Sequence, residues 1–181
     1  MKVEDIKKAA SVGGGVIGSS WTLLFAMKGI EVCQYDINDE QIENCKKNIE
    51  RNIAALVEFG AIKEEDIEKI HERISYTTKI SEAVDGVQFI QENGPERLNL
   101  KQSILAEIEA YAPCEAIHPS SSSGLLISDI TAQAKYQNRC VGGHPYNPPH
   151  LIPLVEITYG EHTDMENVEL AKAFYQSIGK E

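Results

Sequence analysis

The stretch Lys8-Ala-Ala-Ser-Val-Gly13-Gly-Gly15-Val-Ile-Gly18-Ser-Ser-Trp-Thr-Leu-Leu-Phe-Ala-Met27 decides the fold. It opens as a short β-prone run, breaks at the glycines and continues as an apolar helix. The spacing Gly13, Gly15, Gly18 has a separate physical reason at each position: a tight turn, a backbone bare enough for a pyrophosphate to approach, and close packing of helix on strand. The helix start at Val16 and Ile17 adds unpaired N–H groups and the positive end of the helix dipole. A glycine turn of no ligand role is the competing reading, since such turns also arise for structural reasons alone.

The next β-prone run, Glu31-Val-Cys-Gln-Tyr35, ends in Asp36. A carboxylate at that strand end accepts hydrogen bonds from adenosine ribose hydroxyls. Ile37, Asn38, Asp39 and Glu40 bring no cation that would host a 2′-phosphate, so NAD is expected rather than NADP. Beyond this unit the pattern keeps alternating. Strands are predicted over 8–12, 31–35, 73–76, 87–91, 115–118, 140–143 and 154–158, with helices over 17–28, 40–59, 63–70, 97–111, 128–134 and 164–178. Such alternation implies one α/β domain over 1–181, a Rossmann-type, doubly wound and mostly parallel sheet. Residues 38–73 hold two helices' worth of amphipathic sequence where one would serve as a crossover. They read either as a surface helical excursion or as an arm leaning over a ligand cleft.

Length and charge set the bounds. The chain has 181 residues, with 17 Lys and Arg against 28 Asp and Glu, for a net charge of -11. That balance repels nucleic acid and anionic membranes, so neither is an expected partner. No apolar run reaches the roughly 20 residues of a bilayer span, and the N-terminus lacks a leader pattern; a cytoplasmic protein is expected. Cys33, Cys45, Cys114 and Cys140 are scattered without metal-ligand spacing, so buried, reduced thiols and no metal are expected.

Removing a proton from an alcohol as its hydride departs calls for a base tuned near neutrality, and histidine suits it. His71 and His162 sit in polar surroundings and read as exposed bystanders. His144 closes a strand-like run and leads into Pro145-Tyr-Asn-Pro-Pro149, at the strand end where α/β ligand sites gather. Glu156, inside apolar Leu154-Val-Glu-Ile157, would fix the imidazole if paired to it; facing solvent from an edge strand is the alternative. The serines of Pro119-Ser120-Ser-Ser-Ser123-Gly124 follow another strand and serve either a ligand or a plain turn. In Gln91-Glu-Asn-Gly-Pro-Glu-Arg97, Pro95 and Glu96 fit the start of a helix, where capping is explanation enough.

Gly13-Gly-Gly-Val-Ile-Gly18, Gln91-Glu-Asn-Gly-Pro-Glu-Arg97, Ser121-Ser-Ser-Gly-Leu-Leu126, Gly143-His-Pro-Tyr-Asn-Pro148 and Leu154-Val-Glu156 resemble, in order, the L-3-hydroxyacyl-CoA dehydrogenase family. The His-Pro-Tyr-Asn-Pro and Pro-Glu-Arg segments look closest to its carnitine dehydrogenase and lambda-crystallin or L-gulonate dehydrogenase branch. The resemblance implies an NAD-dependent oxidoreductase acting on a secondary 3-hydroxyl. His144 would be general base, Glu156 its orienting partner, Ser123 a donor to the substrate oxygen and Asn147 a group near nicotinamide and substrate. Glu96 and Lys101 would line the nicotinamide side, while Gly13, Gly15, Val16, Ile17, Gly18 and Asp36 hold the cofactor. The implied substrate is a 3-hydroxyacyl-CoA of fatty acid metabolism, carnitine or a polyol acid. The family's all-helical second domain, which builds a homodimer and completes the cleft, has no counterpart in these residues. NAD binding is therefore expected to outlive catalysis, with a non-catalytic NAD-binding or structural protein as the reading from another class.

Overall fold

The computed structural model describes residues 1–181. Seven strands form one sheet: β1 (Lys8–Val12), β2 (Glu31–Tyr35), β3 (Ile74–Thr77), β4 (Phe89–Glu92), β5 (His118–Ser120), β6 (Cys140–Pro145) and β7 (Val155–Tyr159). The helices are α1 (Val16–Met27), α2 (Asp39–Glu58), α3 (Ile67–Glu72), α4 (Ile80–Ala83), α5 (Leu98–Tyr111), α6 (Ile127–Ile130) and α7 (Met165–Ser177). The strand order β3-β2-β1-β4-β5-β6-β7 reverses direction between β1 and β4. All neighbours pair parallel except β6 and β7. This is the expected doubly wound Rossmann-type sheet, and its C-terminal edge opens a crevice where the order reverses.

Alternation along the central strands feeds a layer on each face. Ala9 and Phe89 join a main cluster with α1, α2 and α7, whereas Ala10, Val12 and Ile90 join a second with α4 and Ile108 of α5. On the first face Trp21, Phe25, Phe89, Phe174 and Tyr175 pack ring on ring, with Phe89 and Phe174 centroids 4.1 Å apart. Helix α1 is buried from Gly18 to Ala26 because α2 covers the side away from the sheet. Asn38 caps α2 by accepting from the Gln41 N–H at 2.9 Å, and Asp39 and Glu40 suit the positive end of the dipole. Cys45, Ile49, Ile53 and Leu56 then lie inside the main cluster, and Ile42 is buried on the same helix.

Several sequence expectations are corrected. The fifth strand lies at His118–Ser120 rather than 115–118: Ala116 and Ile117 are buried on the approach, but the ladder to β6 runs through His118, Pro119 and Ser120. Helix α5 starts at Leu98 with Arg97 in extended backbone as its N-cap, so Pro95 and Glu96 precede the helix instead of opening it. Helix α6 is a single turn, and α4 is too short to leave a periodic trace. Cys114 is exposed rather than buried.

His118 is sealed in the core with no partner for Nδ1. Burial, helped by the Arg139 charge, lowers its pKa from 6.5 to about 4. The unfolded chain therefore takes up a proton below pH 6.5 that the folded chain refuses down to about 4. Stability from this source is intact above that window and falls as pH drops through it. Thermal unfolding of His118→Leu is expected to lose less midpoint between pH 7 and 4.5 than the parent does. Parallel pH profiles would contradict this.

Candidate functional site

The glycine turn fills the crevice end of β1. Gly13 has φ +98, and a Cβ there would stand 2.9 Å from the Asn93 carbonyl oxygen. At Gly18 a Cβ would overlap the Gly13 carbonyl, which shows how tightly α1 is drawn onto the turn. Gly15 differs from both, because a Cβ there meets nothing within 4 Å. It faces open space as the N-cap of α1 and offers no side-chain cap to the first turn. The first N–H groups of α1 thus lack intrahelical acceptors and point to where an anion would lie. One glycine serves the turn, one serves packing and one leaves open space.

Asp36 stands across the turn. Its Oδ2 accepts from the Gly14 N–H at 2.7 Å and its Oδ1 from the Ile37 N–H at 2.7 Å. The carboxylate is thereby fixed at the end of β2, half-buried, with lone pairs left for a diol. These residues fit a dinucleotide: an open Gly15, a bare helix start and an aimed carboxylate lie along one edge.

The floor beyond the turn comes from β4 and β5. Glu92 accepts from the Lys101 ammonium at 2.9 Å, from Ser120 Oγ at 2.5 Å and from the Gly94 N–H at 2.5 Å. Lys101 is only 1% exposed, so its charge is spent on Glu92 and the Gly94 carbonyl beneath the cleft. A buried pair holds only with such additional bonds. Glu96 accepts from Ser122 Oγ at 2.6 Å and from the N–H groups of Ser123 and Gly124 at 3.0 and 2.9 Å. Partial burial works to raise its pKa, but the bonds from Ser122, Gly124 and Ser123, with the Lys101 charge, outweigh it and hold the carboxyl below the usual range. The 122–124 loop is thus pinned to the β4–α5 connection. Ser123 is exposed at its tip.

His144 and Glu156 meet across the one antiparallel edge. They are register partners on β6 and β7, and Nδ1 lies 2.9 Å from Oε2. Their side chains are 27% and 52% exposed, which leaves Nε2 as the nitrogen for an incoming group. Tyr146 Oη donates to the other Glu156 oxygen at 3.5 Å, with its ring 5.9 Å from the imidazole. Asn147 is exposed beside Tyr146 and bonds to neither member of the pair.

The structure brings Gly13, Gly15, Val16, Ile17, Gly18 and Asp36 to one end of the crevice and His144 with Glu156 to the other. Glu96 and Ser123 lie on two loops that are bonded together between them, while Lys101 sits underneath. The reading of 91–97 as a helix start hid the roles of Gln91, Glu92 and Asn93, while the serines of 120–123 stood between a ligand and a plain turn. Three polar residues closing an apolar strand were the available signal. A separate groove of about 280 Å³, lined by Lys8, Glu31, Arg73 and Asp85 among others, lies at the opposite ends of the strands.

A family model described as 3-hydroxyacyl-CoA dehydrogenase, NAD binding domain, matches residues 8–181. The chain is 42% identical over 178 residues to an L-carnitine dehydrogenase of Mesorhizobium japonicum, covering 96% of this chain and 47% of that protein. It is 38% identical over 178 residues to a 3-hydroxyacyl-CoA dehydrogenase of Gibberella moniliformis, covering 98% and 54%. Among solved structures, 3-hydroxybutyryl-CoA dehydrogenase from Escherichia coli matches with a TM-score of 0.92 at 27% identity, over 97% of this chain and 37% of that one. The chain spans about half the length of these curated relatives.

Alanine at two glycines separates packing from binding. Gly18→Ala is expected to cost about 2 kcal/mol or more in denaturant unfolding, because the overlap is with backbone that cannot step aside. Gly15→Ala is expected to leave stability within about 0.5 kcal/mol and to weaken NAD binding in calorimetry at least about tenfold. Equal effects of the two on binding and stability would contradict the assignment.

Proposed function

This chain belongs to the 3-hydroxyacyl-CoA dehydrogenase family, as its NAD-binding domain, and we propose that the protein interconverts a secondary 3-hydroxyl and the ketone with His144 as general base. The observation that carries the reading is the 2.9 Å contact of His144 Nδ1 with Glu156 at the C-terminal edge of the sheet. When bound, NAD supplies the hydride acceptor. Gly15, Val16 and Ile17 hold its pyrophosphate through backbone N–H groups, and Asp36 holds the adenosine ribose. Glu156 accepts a hydrogen bond from the Nδ1–H of His144, so the imidazole presents a lone pair at Nε2. Nε2 removes the hydroxyl proton as the hydride leaves, and the nearby carboxylate stabilises the imidazolium that results. Ser123 donates to the substrate oxygen, Asn147 borders the nicotinamide and substrate, and Glu96 holds the loop that carries Ser123. Lys101 acts from below by fixing Glu92 and Glu96.

Carnitine is the substrate that specific observations favour over an acyl-CoA or a polyol acid such as L-gulonate. Tyr146 exposes an aromatic face beside the acidic Glu156, a setting that suits a quaternary ammonium. The relatives named L-carnitine dehydrogenase support the same reading. No helix is long and apolar enough to cross a membrane. The four free thiols support a reducing compartment, the cytoplasm. Exposed Leu151, Ile152, Leu154 and Tyr159 support an apolar face covered by association, a homo-oligomer in the whole protein.

Loss of NADH absorbance when the full-length protein is offered 3-dehydrocarnitine, acetoacetyl-CoA and 3-dehydrogulonate tests the proposal. Turnover is expected to be highest with 3-dehydrocarnitine. His144→Asn should lower kcat by about 10²–10⁴ with NADH affinity unchanged, whereas Asp36→Ala should weaken NADH binding about tenfold or more. NADH binding without turnover of any substrate would make this a non-catalytic NAD-binding protein.

A further inference from the structure

Beneath the crevice a chain of hydrogen bonds links α7 to β4, the serine loop and β1. Tyr175 Oη on α7 donates to Gln91 Oε1 at 2.6 Å, and Gln91 Nε2 donates to Ser121 Oγ at 2.9 Å. Ser121 Oγ donates to Asn93 Oδ1 at 2.7 Å, and Asn93 Nδ2 donates to Ser11 Oγ at 3.2 Å. Ser11 Oγ then donates to the Gly18 carbonyl at 3.2 Å. Every side chain in the line hands one hydrogen forward, so the line has a direction. It begins under the strand that carries His144 and ends on the helix start that faces the dinucleotide.

The start of the line is held by packing as well as by bonding. A Cβ at Gly143 would overlap the Tyr175 hydroxyl, so the phenol rests directly on the backbone one residue before His144. Tyr175 is fully buried, which raises its pKa well above 10.0 and keeps its proton available to donate. That donation obliges Gln91 to turn its carbonyl oxygen toward Tyr175 and its NH₂ the other way. The same NH₂ reaches the Gly143 carbonyl at 3.4 Å. Gln91 is 0% exposed and opposes Ser11 in the β1–β4 register, between the glycine turn and β6. The proposed catalysis uses none of these contacts.

We propose that Gln91 is a positioning residue that sets the spacing between His144 and the dinucleotide turn, through Ser121 and the Gly143 carbonyl. This rests on His144 as the general base. Gln91 touches neither the substrate nor the cofactor. An apolar side chain would fill the space but break the bonds from Gln91 to the Ser121 hydroxyl and the Gly143 carbonyl, and the strand end bearing His144 would lose its reference to β4. A displacement of the base by a fraction of an ångström is enough to slow proton removal, whereas cofactor binding through Gly15, Val16 and Ile17 is untouched.

Two variants test this, Gln91→Met and Ser121→Ala, which cut the line at its node and at the next link. The His144 ring signals in ¹H–¹⁵N spectra of the NAD-loaded protein are the primary readout, since they are independent of turnover. Both variants are expected to move them, and kcat should fall about tenfold or more with the KM for NAD within about twofold. Ring signals at parental positions in both variants would overturn the proposal, including the case in which only the thermal midpoint drops. Should Gln91→Met fail to fold, Ser121→Ala decides alone, because it deletes one hydroxyl from a half-buried loop position. A parent without turnover defeats the proposed function, yet the ring signals still decide the place of Gln91.

Discussion

The close approach of α1 to the end of β1 is the constraint on which the rest of the molecule depends. The Gly13 carbonyl lies where a Cβ of Gly18 would be, so only hydrogen atoms separate helix and turn. That proximity aims the uncapped first turn of α1 along the crevice, next to Asp36 on one side and Asn93 on the other. It also seats Trp21 and Phe25 against Phe89, Phe174 and Tyr175, so the aromatic core and the ligand edge are fixed by the same contact. A wider turn would lose both at once.

The second feature is the His144–Glu156 pair at the far end of the crevice, and the antiparallel β7 creates it. In a parallel ladder the strand bringing a carboxylate opposite His144 would have to be reached through a long crossover connection. Here the chain turns back after Pro149 and pairs Glu156 with His144 directly. Charge placement follows the same economy. The chain is strongly acidic, yet the uncapped start of α1 offers an anion backbone dipoles rather than cations, and the buried cation Lys101 is neutralised by Glu92.

Much of this was legible in the sequence because the signals are local. Gly13, Gly15, Gly18 and Asp36 sit within one strand–helix–strand unit, and periodicity placed α1, α2 and α7 to within a few residues. The His144–Glu156 pairing was legible as a carboxylate in an apolar strand that calls for a partner, with solvent exposure as the alternative; what decides between the two is the register, which is set by the whole sheet. The polar line from Tyr175 to Gly18 was illegible, because it joins residues from β1, β4, the serine loop and α7 that no spacing rule connects. Likewise Pro95 and Glu96 read as helix capping, whereas the carboxylate of Glu96 is turned toward the 122–124 loop. Tertiary partners outbid the nearby helix start.

Binding of the dinucleotide along this edge is the central claim, and backbone amide shifts of the chain during titration with NAD test it most directly. Shifts should concentrate at Gly13 to Gly18, at Asp36 and Ile37, and at Asn93 and Gly94, and should extend to His144 at the nicotinamide end. Shifts confined to the opposite groove around Lys8, Glu31 and Arg73, or a titration that leaves Gly15 and Asp36 unmoved, would contradict it.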